Sequence, residues 1–268
     1  MAASYGVVAL ACALPFLATS SAAQMNATDE LLQAVRARDV AAVRALLDAQ
    51  PELASSRIGG EVPILLAAVF AKGPGAPFLR PEDNELVAAF LDKNPELGIH
   101  EAAVLGHLDR VRELVAADPT LVNEAAPSEW TPLHFAAFSG NVDCVRFLLD
   151  QGADPHRRAM VSSKITPLAA AMFTRRFETT QMLLDRGADP LVRVRGGFSA
   201  MHEAALLNET RLVQLLFDRG AELDSRTDQG ETPLDIAISK DHTEVTALLR
   251  ELGARTAEEI EAAKESER

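Results

Sequence analysis

The sequence is short of several things, and each shortage excludes a class of protein. It has two cysteines. Cys12 lies in an uncharged leader-like segment, which leaves Cys144 alone, so neither a disulfide framework nor a Cys-x-x-Cys metal or redox motif can be built. Cys144 sits beside Val145 on an inward-leaning helix face and is expected to act as a small buried hydrophobe. Aromatics make up only 5% of residues, with a single tryptophan. A core must therefore come from Ala, Leu and Val, which suits short helices in close contact. The apolar run Gly6–Ala18 has 13 residues, too few for a membrane span, which needs about 20. Positive charge is also scarce: 26 Lys and Arg against 39 Asp and Glu give a net charge of −13. A general affinity for nucleic acid or anionic membranes is not expected.

Catalytic signatures are missing too. There is no phosphate-cradling glycine loop and no G-x-S-x-G. His100-Glu101 and His202-Glu203 open like a metalloprotease helix, but Val104 and Leu206 stand where the second His belongs. No catalytic residue, metal or cofactor is expected.

What is present is a repeat. Trp130-Thr131-Pro132-Leu133-His134-Phe135-Ala136-Ala137 begins a helix, since Thr131 can cap it and Pro132 loses no needed N–H at the first helical position. Gly140 permits the left-handed backbone that ends it. Val145, Leu148 and Leu149 mark a second helix, which Gly152-Ala153-Asp154 closes. Thr131-Pro132 recurs as Thr166-Pro167, Ser199-Ala200 and Thr232-Pro233, at steps of 35, 33 and 33. Gly152-Ala153 recurs as Gly187-Ala188, Gly220-Ala221 and Gly253-Ala254 at the same steps. One such unit cannot cover its own apolar face, so neighbours must stack.

The T-P-L-H…A-A…G…V…L-L…G-A-D pattern resembles the ankyrin repeat. The resemblance implies an all-α fold with short β-hairpin-like fingers, a solenoid of about seven stacked helix–turn–helix repeats. Residues 126–158, 159–193, 194–226 and 227–255 are the clearest copies. Residues 98–125 form another, 57–97 a degenerate one, and 26–56 an N-terminal capping repeat, with Asp29 able to cap its first helix. Lys72 to Pro81, rich in Gly and Pro, reads as a loop inserted in the degenerate repeat. Residues 256–268 read as a polar helical tail. Residues 1–23 lack any Asp, Glu, Lys or Arg and end in Ser21-Ala22-Ala23, which reads as a signal peptide for export to a periplasm or beyond. If translation starts at Met25 instead, the protein is cytoplasmic.

Ankyrin-like proteins bind through finger tips and the inner helix faces of a concave surface. By position, that implies a partner site at Trp130, Ile165 and Phe198 before the helix caps, and at Phe138 and Phe173 after the Ala-Ala slots. Charge adds Arg157, Arg158, Arg193 and Arg195, because Pro155–Phe177 and Pro190–His202 contain no acid in an otherwise acidic chain. Such a patch would steer an acidic protein partner to a monomeric scaffold. Two alternatives stay open: a small-ligand protein or enzyme using the groove or the 72–81 loop, and a purely structural envelope scaffold.

Overall fold

Each repeat is built around a cap, a tight turn and a pair of small residues. The structure is a computed structural model that describes residues 26–71, 84–159 and 164–266. The segment 1–23, read from sequence as a signal peptide, the 72–81 stretch, read as an inserted loop, and the side chain of Arg195 lie outside the described residues. Seven helix pairs follow one another: α1 Ala27–Ala37 with α2 Val40–Ala49, α3 Ile64–Phe70 with α4 Glu85–Leu91, α5 Ile99–Leu105 with α6 Leu108–Ala117, α7 Pro132–Ser139 with α8 Val142–Asp150, α9 Pro167–Phe173 with α10 Phe177–Asp185, α11 Ala200–Leu207 with α12 Thr210–Asp218, and α13 Pro233–Ser239 with α14 Thr243–Glu251. A final helix, α15 Ala257–Ser266, seats Ile260 against the array. The chain is an all-α repeat solenoid. Its only sheet among the described residues is one hairpin finger, β1 Arg57–Ile58 and β2 Val62–Pro63, paired antiparallel. Later fingers are held by single bridges, Ala159 to Ile165 and Arg193 to Ser199.

The caps are where the sequence places them, with one shift. Thr166, Ser199 and Thr232 accept from the backbone N–H three residues on. At the first helix the cap is Asn26, which accepts from Asp29 N–H at 2.9 Å, so Asp29 sits inside the first turn rather than capping it. The turn between paired helices needs a left-handed residue. Gly140 supplies it with φ +86, but Arg38, Arg175, Asn208 and Asp241 occupy the same place with φ near +57. The turn geometry is thus kept even where a side chain is strained by about 1 kcal/mol.

The inner helices touch through Ala102-Ala103, Ala136-Ala137, Ala170-Ala171 and Ala204-Ala205, all buried. Their small size lets neighbouring helices close up, while Val145, Leu148, Leu183, Val213 and Leu216 fill the layer beneath the outer helices. The result is one continuous core rather than seven separate ones. Cys144 belongs to it, and burial pushes its thiol up to about 11, so it stays an unreactive thiol at neutral pH.

A buried polar bridge ties repeat to repeat. His134 Nδ1 accepts from Thr131 N–H at 3.2 Å, which leaves the proton on Nε2 to donate to the Ile165 carbonyl of the next finger at 3.2 Å. His202 repeats this with Ser199 N–H at 3.1 Å and the Glu231 carbonyl at 3.0 Å. Burial pulls both imidazoles down to about 4, so they work as neutral connectors. In the last repeat the neighbour is a helix N-terminus, which offers N–H groups instead of a carbonyl. There Asp235 fills the slot, and its Oδ2 accepts from Thr232 N–H at 2.9 Å and Ala257 N–H at 3.0 Å. Ala169 holds the same slot in the remaining clear copy and can make no such bridge.

Three seams are looser than the rest, α1 against α3 being one of them. α3 against α5, and α9 against α11, also make sparser contact than the α5–α7–α9 and α11–α13 stacks. The α9–α11 seam coincides with the missing bridge at Ala169. On the convex side, Arg186 pairs with Asp150 at 2.6 Å, and Arg219 with Asp185, each one repeat apart. Both pairs meet solvent, so each is worth roughly 0–1 kcal/mol.

Candidate protein-interaction surface

The surface left open by the stack follows from which residues of each inner helix escape burial. On α11, Ala200, Glu203, Leu206 and Leu207 are partly exposed, whereas Met201, His202, Ala204 and Ala205 are buried. The spacing of three and four puts the first set on one stripe. The stripe continues through Ala169 and Phe173 on α9 and through Asp235, Ile238 and Ser239 on α13. Ile238 is 45% exposed, unusual for an isoleucine in a helix that otherwise serves the core. The fingers flank this stripe.

The residues singled out from sequence separate into two groups. Trp130 is 1% exposed, Phe138 5% and Ile165 5%, so these three are packing rather than presented anchors. The cause lies in the neighbouring rings. Trp130 folds back over its own helix, edge-on to Phe135 at 5.3 Å and Phe138 at 5.6 Å, and meets Phe70 of α3 at 5.8 Å. These four rings form one cluster, which leaves the Trp130 Nε1 buried without a hydrogen-bond partner. Ile165 is held by its bridge to Ala159 and by the His134 bond to its carbonyl. Phe173 and Phe198 are half-buried and do reach the surface.

The basic residues also divide. Arg157, Arg158 and Lys164 are exposed on one finger, with no ion pair among the described residues. Arg193 on the next finger is already engaged, donating to the Arg226 carbonyl at 2.7 Å and lying 3.6 Å from Glu222. Arg195 contributes its backbone to a short turn, and its side chain is outside the described residues. The cationic patch is therefore carried by the 157–164 finger more than by both fingers equally.

Sequence reasoning marks Leu206, which follows an Ala-Ala slot like Phe138 and Phe173, but passes over Leu207 and Ile238 and weighs Glu203 only against a metalloprotease motif. The signal was there: positions three and four apart on an inner helix that stay apolar or charged where a pure core helix would hold only Ala. Glu203 stands in the repeat slot that Phe135, Ala170 and Ile236 fill elsewhere. Its Oε1 is sealed from solvent and has no hydrogen-bond partner. Desolvation raises its carboxyl to about 7, although Arg175 pulls the other way.

A shallow cleft lies at the α3–α5 seam, lined by Leu66, Phe70, Phe135, His100 and Arg57. It holds about 60 Å³, well below the roughly 300–1,000 Å³ of small-molecule pockets. Among the described residues no group of three His, Cys, Asp or Glu is placed to hold a metal, and no helix is long and apolar enough to cross a membrane.

Matches to the family described as ankyrin repeats cover residues 31–159, 99–194 and 169–259. The chain belongs to the ankyrin repeat family. Among curated relatives, it is 42% identical over 79 residues to the human DNA-binding protein RFXANK, covering 29% of each chain. It is 42% identical over 66 residues to human ankyrin repeat domain-containing protein 49, covering 25% of this chain and 28% of the relative. Bovine ankyrin repeat and SOCS box protein 2 is 33% identical over 86 residues, 29% of this chain and 14% of the relative. The chain thus spans less than a third of the length of these relatives. Ankyrin repeat proteins are generally protein-interaction modules rather than enzymes, and protein partners are the expectation for this member.

Proposed function

We propose that this protein is a non-enzymatic interaction module that holds a segment of a partner protein along its concave face. One observation carries the reading. A stripe of partly exposed apolar side chains, Phe173, Leu206, Leu207 and Ile238, runs across consecutive inner helices beside the cationic finger of Arg157, Arg158 and Lys164. The stripe supplies apolar burial, and the finger supplies steering toward an acidic region of the partner. Trp130, Phe138 and Ile165 hold the shape of the surface without touching the partner. Export by the 1–23 segment belongs to this reading, and N-terminal sequencing of the mature protein should begin near Gln24.

The test is kinetic. Reversing Arg157 and Arg158 to Glu should slow association with the native partner at least tenfold at low salt and flatten its salt dependence. Ile238→Ala should leave association unchanged and speed dissociation. Normal binding by both variants would exclude the concave face.

A further inference from the structure

Two of the loose seams, α3–α5 and α9–α11, carry the same feature. Glu101 on α5 and Glu203 on α11 fill equivalent slots, one residue after the His position, on the helix that closes each seam. Glu101 is 3% exposed and has a cationic partner, because Arg57 reaches over from the β1 finger to within 3.7 Å of its Oε1. Among the described residues Glu203 has no ion pair. Arg175, the cation whose charge reaches it, pairs instead with Glu209 at 3.0 Å, while Arg176 donates to the Phe138 carbonyl at 3.4 Å and Arg193 goes to Glu222 and the Arg226 carbonyl. On the other flank α13 offers Asp235, whose carboxylate already caps its own helix and α15, and apolar Ile236. His202, adjacent on α11, is neutral and bonded at both nitrogens. The same slot thus exists once with a guanidinium from within the chain beside the carboxyl and once without one.

We infer that Glu203 is an anchor for a basic side chain, lysine or arginine, which a bound segment inserts from the concave face at the α9–α11 seam. This deepens the reading of that face as the binding surface and rests on it. Three features fit a cation here. The unpartnered Oε1 is an acceptor that costs free energy until it is met. The facing helix holds the small residues Ala169 and Ala170 in the slots where α7 has His134 and Phe135. Phe173 and Leu207, partly exposed on the same stripe, can cover the aliphatic stem of a lysine or arginine. The partner segment then carries both signs: acidic groups toward the 157–164 finger and one basic group at Glu203. Entry of the cation ionises the carboxyl, so binding releases the proton that Glu203 holds in the free protein.

The side-chain carboxyl carbon of Glu203, followed by NMR, gives a readout that needs no partner. The probe is n-butylguanidinium, with neutral n-butylurea as its control. The Glu203 titration midpoint, about 7 in the free protein, should fall by about one unit or more in saturating n-butylguanidinium, and should not move with n-butylurea. An unchanged Glu203 midpoint, or an equal response to the urea, overturns the inference. A second arm separates it from the wider reading. If Arg157→Glu weakens partner binding while Glu203→Gln does not, the anchor is wrong and the concave face stands. If Glu203 titrates as expected but neither variant alters partner binding, the concave face is the wrong surface.

Discussion

At the residue scale, a side chain's role here is set by what the next repeat brings to it. Trp130 looked like a surface anchor because it precedes a helix cap. It is buried because Phe70 arrives from α3, 60 residues earlier, to close the ring cluster. No local pattern announces that contact. Trp130→Ala should therefore cost about 3–5 kcal/mol in chemical denaturation, while Trp130→Phe should cost under about 1.5 kcal/mol, because the indole N–H makes no bond to lose. Equal losses would count against the cluster. The titrating residues act in opposite directions. His134 and His202 fall from 6.5 to about 4 on folding, so the folded state binds fewer protons and stability drops as pH falls from 6.5 toward 4. Glu203 rises from 4.5 to about 7, so its contribution is full below pH 4.5 and is lost as pH rises through 7. Glu203→Gln should raise the urea midpoint more at pH 8 than at pH 5, and should steepen the loss of stability on acidification by removing the one opposing term. The same shift at both pH values would mean that the carboxyl is not held neutral.

At the element scale, the helix pairs and turns were legible in the sequence because two motifs, Thr-Pro and Gly-Ala, keep one period independently. The seams between pairs were not, since they depend on which slot residue can bridge to the following finger. The His slot makes this concrete: His134 and His202 donate to a carbonyl ahead, Asp235 accepts from an N–H ahead, and Ala169 does neither. Ala169→His should restore the bridge, with Nδ1 accepting from Thr166 N–H and Nε2 donating toward the Phe198 carbonyl. A gain of about 0.5–1.5 kcal/mol is expected at pH 7.5, with slower amide exchange in α9 and α11 together. No gain, or protection confined to one helix, would show that the seam is loose for another reason. The fingers touch as well: Asp228 N–H donates to the Gly196 carbonyl at 2.9 Å, and a Cβ on Gly197 would lie 2.7 Å from that same nitrogen. Gly187 has a similar positive φ but open space around it. Gly197→Ala should thus destabilise at least twice as much as Gly187→Ala, for which strain alone sets a cost of about 1 kcal/mol.

At the scale of the whole molecule, stacking turns seven modest helix pairs into one continuous core with two differently used faces. The outer helices carry exposed ion pairs between repeats and the exposed ring of Phe217, while the inner-helix stripe keeps apolar groups partly exposed beside Glu203, whose Oε1 has no hydrogen-bond partner among the described residues. The acid-free finger was visible in the sequence as a gap in an acidic chain. The apolar stripe was visible only in part, at Phe173 and Leu206 after the Ala-Ala slots, because it lies on helices whose other faces are just as apolar. The central claim is that the concave face is the working surface. Site-specific photocrosslinking tests it most directly, with a photoreactive residue at Leu207 or Ser239 on the concave face and at Asp143 or Gln214 on the convex face. In the native cell the concave positions should yield the same discrete protein adduct, lost when Arg157 and Arg158 are reversed to Glu, and the convex positions should yield none. Adducts from Asp143 and Gln214 alone, or a pattern independent of position, would contradict the account.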